Sequence, residues 1–169
     1  MKKRLKIIYI GPFYTNDWVT IDAMLPDIVL IDWQLRLLNY LVELDHTVYV
    51  KNHPESEIKM PDFFYRNIGV KKLEGVLEKV YKKADLIVMD YCGSSTFGFT
   101  LRTEKPLILV DFGFLKLRKT EDRKIRKRCF VIDGYFTREN KVDINWSDLN
   151  KGIENSFYLK DKTYSENVL

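Results

Sequence analysis

Two hydrophobic periods alternate along the chain. A strand reads at 47–51, and short runs of consecutive apolar residues occur at 7–10, 86–89, 107–110 and 130–132. Runs of this length, bounded by turn residues, mark strands buried on both faces of a parallel sheet. Between them the apolar positions fall at helical spacing. Pro26 can open a helix that reaches about Leu44, with Leu30, Trp33, Leu37, Leu38, Leu41 and Leu44 on one face. That spacing makes Trp33 a packing residue rather than a cofactor contact. Val76, Leu77 and Val80 give a short amphipathic helix ending at Lys82-Lys83, and residues 146–157 give a last one. There Leu149, Ile153 and Phe157 share a face and Ser147 is the candidate N-cap. Residues 70–73 read as a weaker strand, and residues 57–67 as a loop or a short helix.

The clearest unit is the stretch 84–113, ADLIVMDYCGSSTFGFTLRTEKPLILVDFG. It reads as strand, small-residue turn, helix, Pro106 turn and strand, because the residue before a proline avoids the helical region. Two parallel strands joined by a helix form a right-handed crossover. The whole pattern therefore predicts a three-layer α/β/α, Rossmann-like domain over residues 1–158, with a mainly parallel sheet of five or six strands and a polar tail at 159–169. Ligands of such sheets bind outside the carboxyl ends of the strands.

Composition narrows the function. A chain of 169 residues that is 46% hydrophobic can bury a core of its own. The formal net charge of +4 gives no argument for nucleic acid. Cys92 and Cys129 share no metal spacing, and only two histidines, His46 and His53, are present, so a histidine-rich metal site is excluded. No apolar run has the length of a membrane span and no signal-peptide pattern follows Met1, so a cytoplasmic chain is expected. Walker, GxGxxG and GxSxG patterns are absent.

Two features converge on the carboxyl edge. His53 follows the strand 47–51 and is pinned by Pro54. Gly93, Ser94, Ser95 and Thr96 follow the strand 86–89, where a helix should begin. A helix start offers unpaired N–H groups and a positive dipole end, Gly93 admits a ligand close to the backbone, and the hydroxyls add donors. Together they suit a phosphate or pyrophosphate, with His53, or Lys51 beside it, bonding a leaving phosphate. The plainer reading is that Ser94 or Ser95 caps the helix and His53 holds a loop. Thr15, Asn16 and Asp17 read as turn chemistry. Residues 116–128 hold eight basic and two acidic side chains, beginning with Lys116 and ending with Arg128. This run is either a solvated face or a peripheral contact with an anionic membrane, nucleic acid being the weaker third.

The order VYVKNHPES and then ADLIVMDYCGSSTFGFTLRTEKPLILVD resembles the carboxyl-terminal, donor-binding half of GT-B-type transferases of surface-polysaccharide and teichoic-acid synthesis, including the CDP-glycerol glycerophosphotransferase-like group. His53-Pro54, Asp90-Tyr91, Ser94-Ser95-Thr96-Phe97 and Lys105-Pro106 occupy that group's motif positions. The resemblance spans about residues 3–111. It implies that His53 and the Ser94, Ser95 and Thr96 hydroxyls contact the phosphates of a CDP- or UDP-linked donor. With Lys51 and Gly93 as further phosphate contacts and His53 in the catalytic place, the helix end and His53 supply the positive field, so no metal or other cofactor is expected. The pattern departs at Gly98-Phe99-Thr100, where the group carries an acid for the donor ribose; here no acid occurs before Glu104. Such transferases use two Rossmann-like domains and this chain has room for one. An amino-terminal Rossmann domain or a partner chain is therefore implied, or else a non-catalytic nucleotide- or phosphate-binding module.

Overall fold

The computed structural model describes residues 3–14, 25–54, 56, 58–159 and 164. Six strands form one sheet: β1 (Lys6–Ile10), β2 (Thr47–Lys51), β3 (Lys71–Lys72), β4 (Leu86–Met89), β5 (Leu107–Asp111) and β6 (Phe130–Asp133). Their spatial order is β3-β2-β1-β4-β5-β6, and every neighbouring pair is parallel. The chain winds outward in one direction from β1 and in the other from β4. The topological switch point lies between those two strands. This is the Rossmann-like α/β architecture that the alternating periods predict.

Strand alternation sends the side chains to two cores. Ile7 and Tyr9 of β1 and Leu86 and Val88 of β4 pack against α1 (Asp27–Glu43), α2 (Asp62–Asn67) and, further along the sheet, α6 (Trp146–Asn155). Ile8, Ile10, Ile87 and Met89 face α3 (Leu77–Val80), α4 (Ser95–Arg102) and α5 (Lys119–Arg128). The central strands are buried on both sides, which is why they read as unbroken apolar runs.

Several boundaries differ from the expectation. The ambiguous segment 57–67 contains the short helix α2, and the strand expected at 70–73 pairs only through Lys71 and Lys72. Helix α4 stops at Arg102, four residues before Pro106, because Thr103 is already extended (ψ 161°). Ser147 is not the N-cap of α6. Asn145 is, accepting the Ser147 N–H at 3.1 Å, so Ser147 lies inside the first turn as a donor. That helix ends at Asn155 and a 3-10 turn, Ser156–Tyr158, carries the chain on. A hairpin of β7 (Tyr135–Phe136) and β8 (Val142–Asp143) follows β6; two-residue strands leave no periodic signal. Thr15, Asn16 and Asp17, and the tail residues 160–163 and 165–169, lie outside the described residues. Among the described residues, no helix is long and apolar enough to cross a membrane.

One interior contact ties the second core together. Arg128, the last residue of α5, is buried and points at the carboxyl end of α4. Its Nε donates to Leu101 O at 2.9 Å, and one terminal nitrogen donates to Lys105 O at 2.9 Å, to Thr103 O and to Thr100 O at 3.4 Å. The last carbonyls of a helix have no partner within it. A guanidinium, which accepts nothing and carries five donors, matches that need.

Candidate functional site

The carboxyl edge at the switch point is built from the ends of β1, β2 and β4. After β4 the chain turns through Asp90, Tyr91, Cys92 and Gly93. Ser94 is extended (φ −93°, ψ 152°), and its Oγ accepts the Phe97 N–H at 3.1 Å, the geometry of an N-cap. The Ser94 hydroxyl therefore serves the helix. The N–H groups of Ser95 and Thr96, in the first turn, are directed out of the helix start. Ser95 is exposed and Thr96 half-buried. Gly93 is exposed on one side, while the Tyr91 side chain folds over its Cα so closely that a Cβ would collide with it. Any side chain there would push the half-buried Tyr91 ring aside.

Lys51 ends β2 and, by strand alternation, shares the face of Tyr49, which packs with the α4 side of the sheet. Its Nζ donates to Asn52 O at 3.2 Å. His53 is half-buried, with its ring edge-on to Phe13 at 5.2 Å and 77°. Its carbonyl accepts the Ser56 N–H at 3.2 Å. These residues share an edge with Ser94, Ser95 and Thr96 but not a neighbouring strand. β1 stands between β2 and β4, so the backbones of the two groups are about two strand spacings, roughly 10 Å, apart. A pyrophosphate-sized ligand can bridge that gap across the end of β1, where Gly11-Pro12 ends the strand and the Gly11 N–H bonds Lys51 O at 3.2 Å.

On the opposite face of the same edge lies a cluster that motif reading does not find. Asp90 follows β4 and points toward α1. Its Oδ2 accepts the Tyr9 hydroxyl and, at 3.1 Å, the Trp33 indole N–H. Burial raises the Asp90 carboxyl to about 6, against the opposing pull of the Tyr9 and Trp33 hydrogen bonds. Burial, and after it the charge of Asp90, pushes the Tyr9 phenol well above its ordinary value. Gln34 is wholly buried beside them, and its Oε1 accepts the Tyr14 hydroxyl at 2.8 Å. Asp90 Oδ1 and Gln34 Nε2 have no hydrogen-bond partner among the described residues. Each such orphan costs about 1–3 kcal/mol in an ordinary protein interior. One signal was present in the sequence: Gln34 interrupts the apolar stripe formed by Leu30, Trp33, Leu37, Leu38 and Leu41.

The thiols offer no nucleophile. Burial raises Cys92, and raises the Cys129 thiol to about 12. The basic run is only partly a charged face. Lys124 pairs with Glu121 at 2.9 Å, Arg126 with Asp122 at 3.0 Å and Asp133 at 2.7 Å, and Arg128 is interior.

Exposed apolar side chains are unevenly placed. Phe13 and Ile28 follow β1, Phe63 follows β2, Val76 follows β3, Leu115 follows β5, and Tyr135 and Phe136 follow β6. Among the described residues, only Tyr158 of the exposed large hydrophobics lies in a segment that does not begin at the carboxyl edge.

No protein-family model matches the chain, and no curated protein matches it.

Proposed function

We propose that this domain is the donor-binding half of a transferase of cell-surface polysaccharide synthesis, moving a glycosyl or glycerophosphoryl group from a CDP- or UDP-linked donor. The observation that carries the reading is the capped start of α4 at the switch point, on the same sheet edge as Lys51 and His53 with the end of β1 between them. Outward N–H groups at Ser95 and Thr96 and the positive end of the helix favour a diphosphate. Lys51 and His53 supply the second flank, where His53 stabilises charge on the departing phosphate. No step in this scheme calls on a metal.

The apolar rim of the carboxyl edge favours a second surface seated over it. Exposed apolar side chains in the segments that leave this edge, among them Phe13 and Leu115, would contribute to such a contact. An amino-terminal Rossmann domain or a partner chain would bring the acceptor and complete the cleft, and the same rim would let a non-catalytic module dock on its partner. Titration calorimetry with pyrophosphate, CDP and UDP tests the reading. Binding of all three is expected, weakened by Ser95→Ala with Thr96→Gly and by His53→Ala. Absence of pyrophosphate binding, or binding indifferent to these changes, removes the proposed site. Transfer activity is expected only when the missing domain is supplied, read as radiolabel incorporation.

A further inference from the structure

We propose that the buried Tyr9–Gln34–Asp90 cluster is a subsite for an alcohol hydroxyl of the bound ligand, whose proton bonds Asp90 Oδ1 while its oxygen accepts from Gln34 Nε2. The proposal deepens the donor-binding reading and rests on it for the ligand class, a phosphorylated polyol. The two unpartnered atoms are one acceptor and one donor, both buried. Both residues lie beside the Tyr9 side chain. Asp90 holds the Tyr9 hydroxyl, and Gln34 Nε2 lies 2.8 Å from the place a Gly11 Cβ would take, with Tyr9 Cε1 3.4 Å from that same place. Gly11 thus leaves room for the Gln34 amide at the very end of β1.

The chemistry selects the guest. A phosphate would meet the Asp90 carboxylate, and a cation would meet the Gln34 N–H. An alcohol, like a water molecule, both donates and accepts, which answers both orphans. A site built to bond a hydroxyl discriminates strongly against ligands that lack one, because its own polar groups are then left unpaired. Tyr14 roofs the cluster: it is buried, its hydroxyl donates to Gln34 Oε1 at 2.8 Å, and its N–H donates to Ser56 Oγ at 3.2 Å. Entry of a hydroxyl requires this roof to move aside. The subsite lies at the switch-point edge, on the α1 face, with the α4 start on the other. A ligand draped over the end of β1 and β4 reaches both. The arrangement also supplies hydroxyl recognition in a chain whose α4 lacks an early acid.

The Trp33 indole N–H, bonded to Asp90 Oδ2 at 3.1 Å, is a reporter inside the cluster. Its NMR resonance is followed in the full chain while ribose, glycerol, pyrophosphate and CDP are titrated separately. Ribose, glycerol or both are expected to move it saturably, the two arms separating a ribose hydroxyl from that of a transferred polyol. CDP is expected to move it where ribose does, and pyrophosphate to leave it in place. Gln34→Leu should weaken whichever of CDP and glycerol moves the resonance by about tenfold, the scale of one lost hydrogen bond, and leave pyrophosphate affinity unchanged. Asp90→Asn, which retains the shape and an acceptor for Tyr9 and Trp33, should act in the same direction, with thermal melts of both variants confirming a folded chain. If no polyol moves the resonance, or if CDP and pyrophosphate weaken equally in both variants, the subsite is overturned. Polyol binding without pyrophosphate binding would instead overturn the donor-binding reading and leave the subsite standing.

Discussion

Arg128 and Asp90 are both buried, both ionisable, and both bonded to residues far away in the chain, yet their surroundings differ in kind. Arg128 satisfies the groups around it: its Nε and one terminal nitrogen donate to carbonyls at and just past the end of α4, and burial lowers its pKa only against an always-charged baseline. Asp90 is half saturated. Its Oδ2 takes two donors and its Oδ1 none, at the end of the sheet where ligands bind. A saturated buried ion closes off backbone groups that would otherwise be orphaned. A half-saturated one keeps hydrogen-bonding capacity in reserve, at a cost in stability. The first lies inside the α4–α5 layer and the second at the carboxyl edge, so position and saturation point the same way.

The largest test of this contrast is Arg128→Met. It strips the carbonyls of Leu101, Thr103 and Lys105 of their donors and should cost about 4 kcal/mol, read by urea unfolding. A loss below about 1 kcal/mol would mean that the cap is ornamental and the contrast false.

Next comes the pH dependence of Asp90. Its folded carboxyl titrates at about 6, above the ordinary 3.8. The folded state therefore holds the proton more tightly than the unfolded state. Stability is greatest below about 3.8, falls as pH rises through the window up to about 6, and is flat above it as far as this group is concerned. The raised value corresponds to about 3 kcal/mol across that window. Asp90→Asn removes the titration, so the difference between native and variant chains, measured as unfolding free energy against pH, should shift toward the variant as pH rises. A difference independent of pH would show that the carboxyl is not held up by burial.

Ser94→Ala removes a cap and should cost about 1 kcal/mol, whereas Ser95→Ala, exposed and without a capping bond, should leave the melting temperature unchanged. Equal losses would mean that both hydroxyls serve the helix, which leaves the anion reading with backbone donors only. The smallest effect belongs to the surface of α5. Removing the exposed Lys124–Glu121 pair should cost about 0.5 kcal/mol or less. The cations there give at most about 1 kcal/mol each near an anionic bilayer. Salt-sensitive liposome flotation, lost when the exposed Lys119, Arg123 and Lys127 become serine, would make the run a membrane contact. Flotation unchanged in that variant would leave it ordinary solvated surface.

What could be read in advance follows from the range of the interactions. The unbroken apolar run of β4, the helical stripe of α1, and the proline and small-residue turns around α4 are local signals, and they specified the parallel sheet and which segments leave its carboxyl edge. Local composition also placed a cap at Ser94 or Ser95, settled by the backbone at Ser94. It misplaced the cap of α6, because Asn145 and Ser147 are both good capping residues and only the backbone decided between them. The sequence by itself could not reveal the two buried ions. Asp90 meets Tyr9 from 81 residues away and Trp33 from 57. Arg128 sits within a run that reads as solvated charge, and its carbonyl partners lie 23 to 28 residues earlier. Periodicity reports which face of an element is buried, since burial repeats with the backbone. Whether a polar side chain on that face is paired, capped or left open depends on which distant atoms the crossovers bring beside it, and only the tertiary structure decided that.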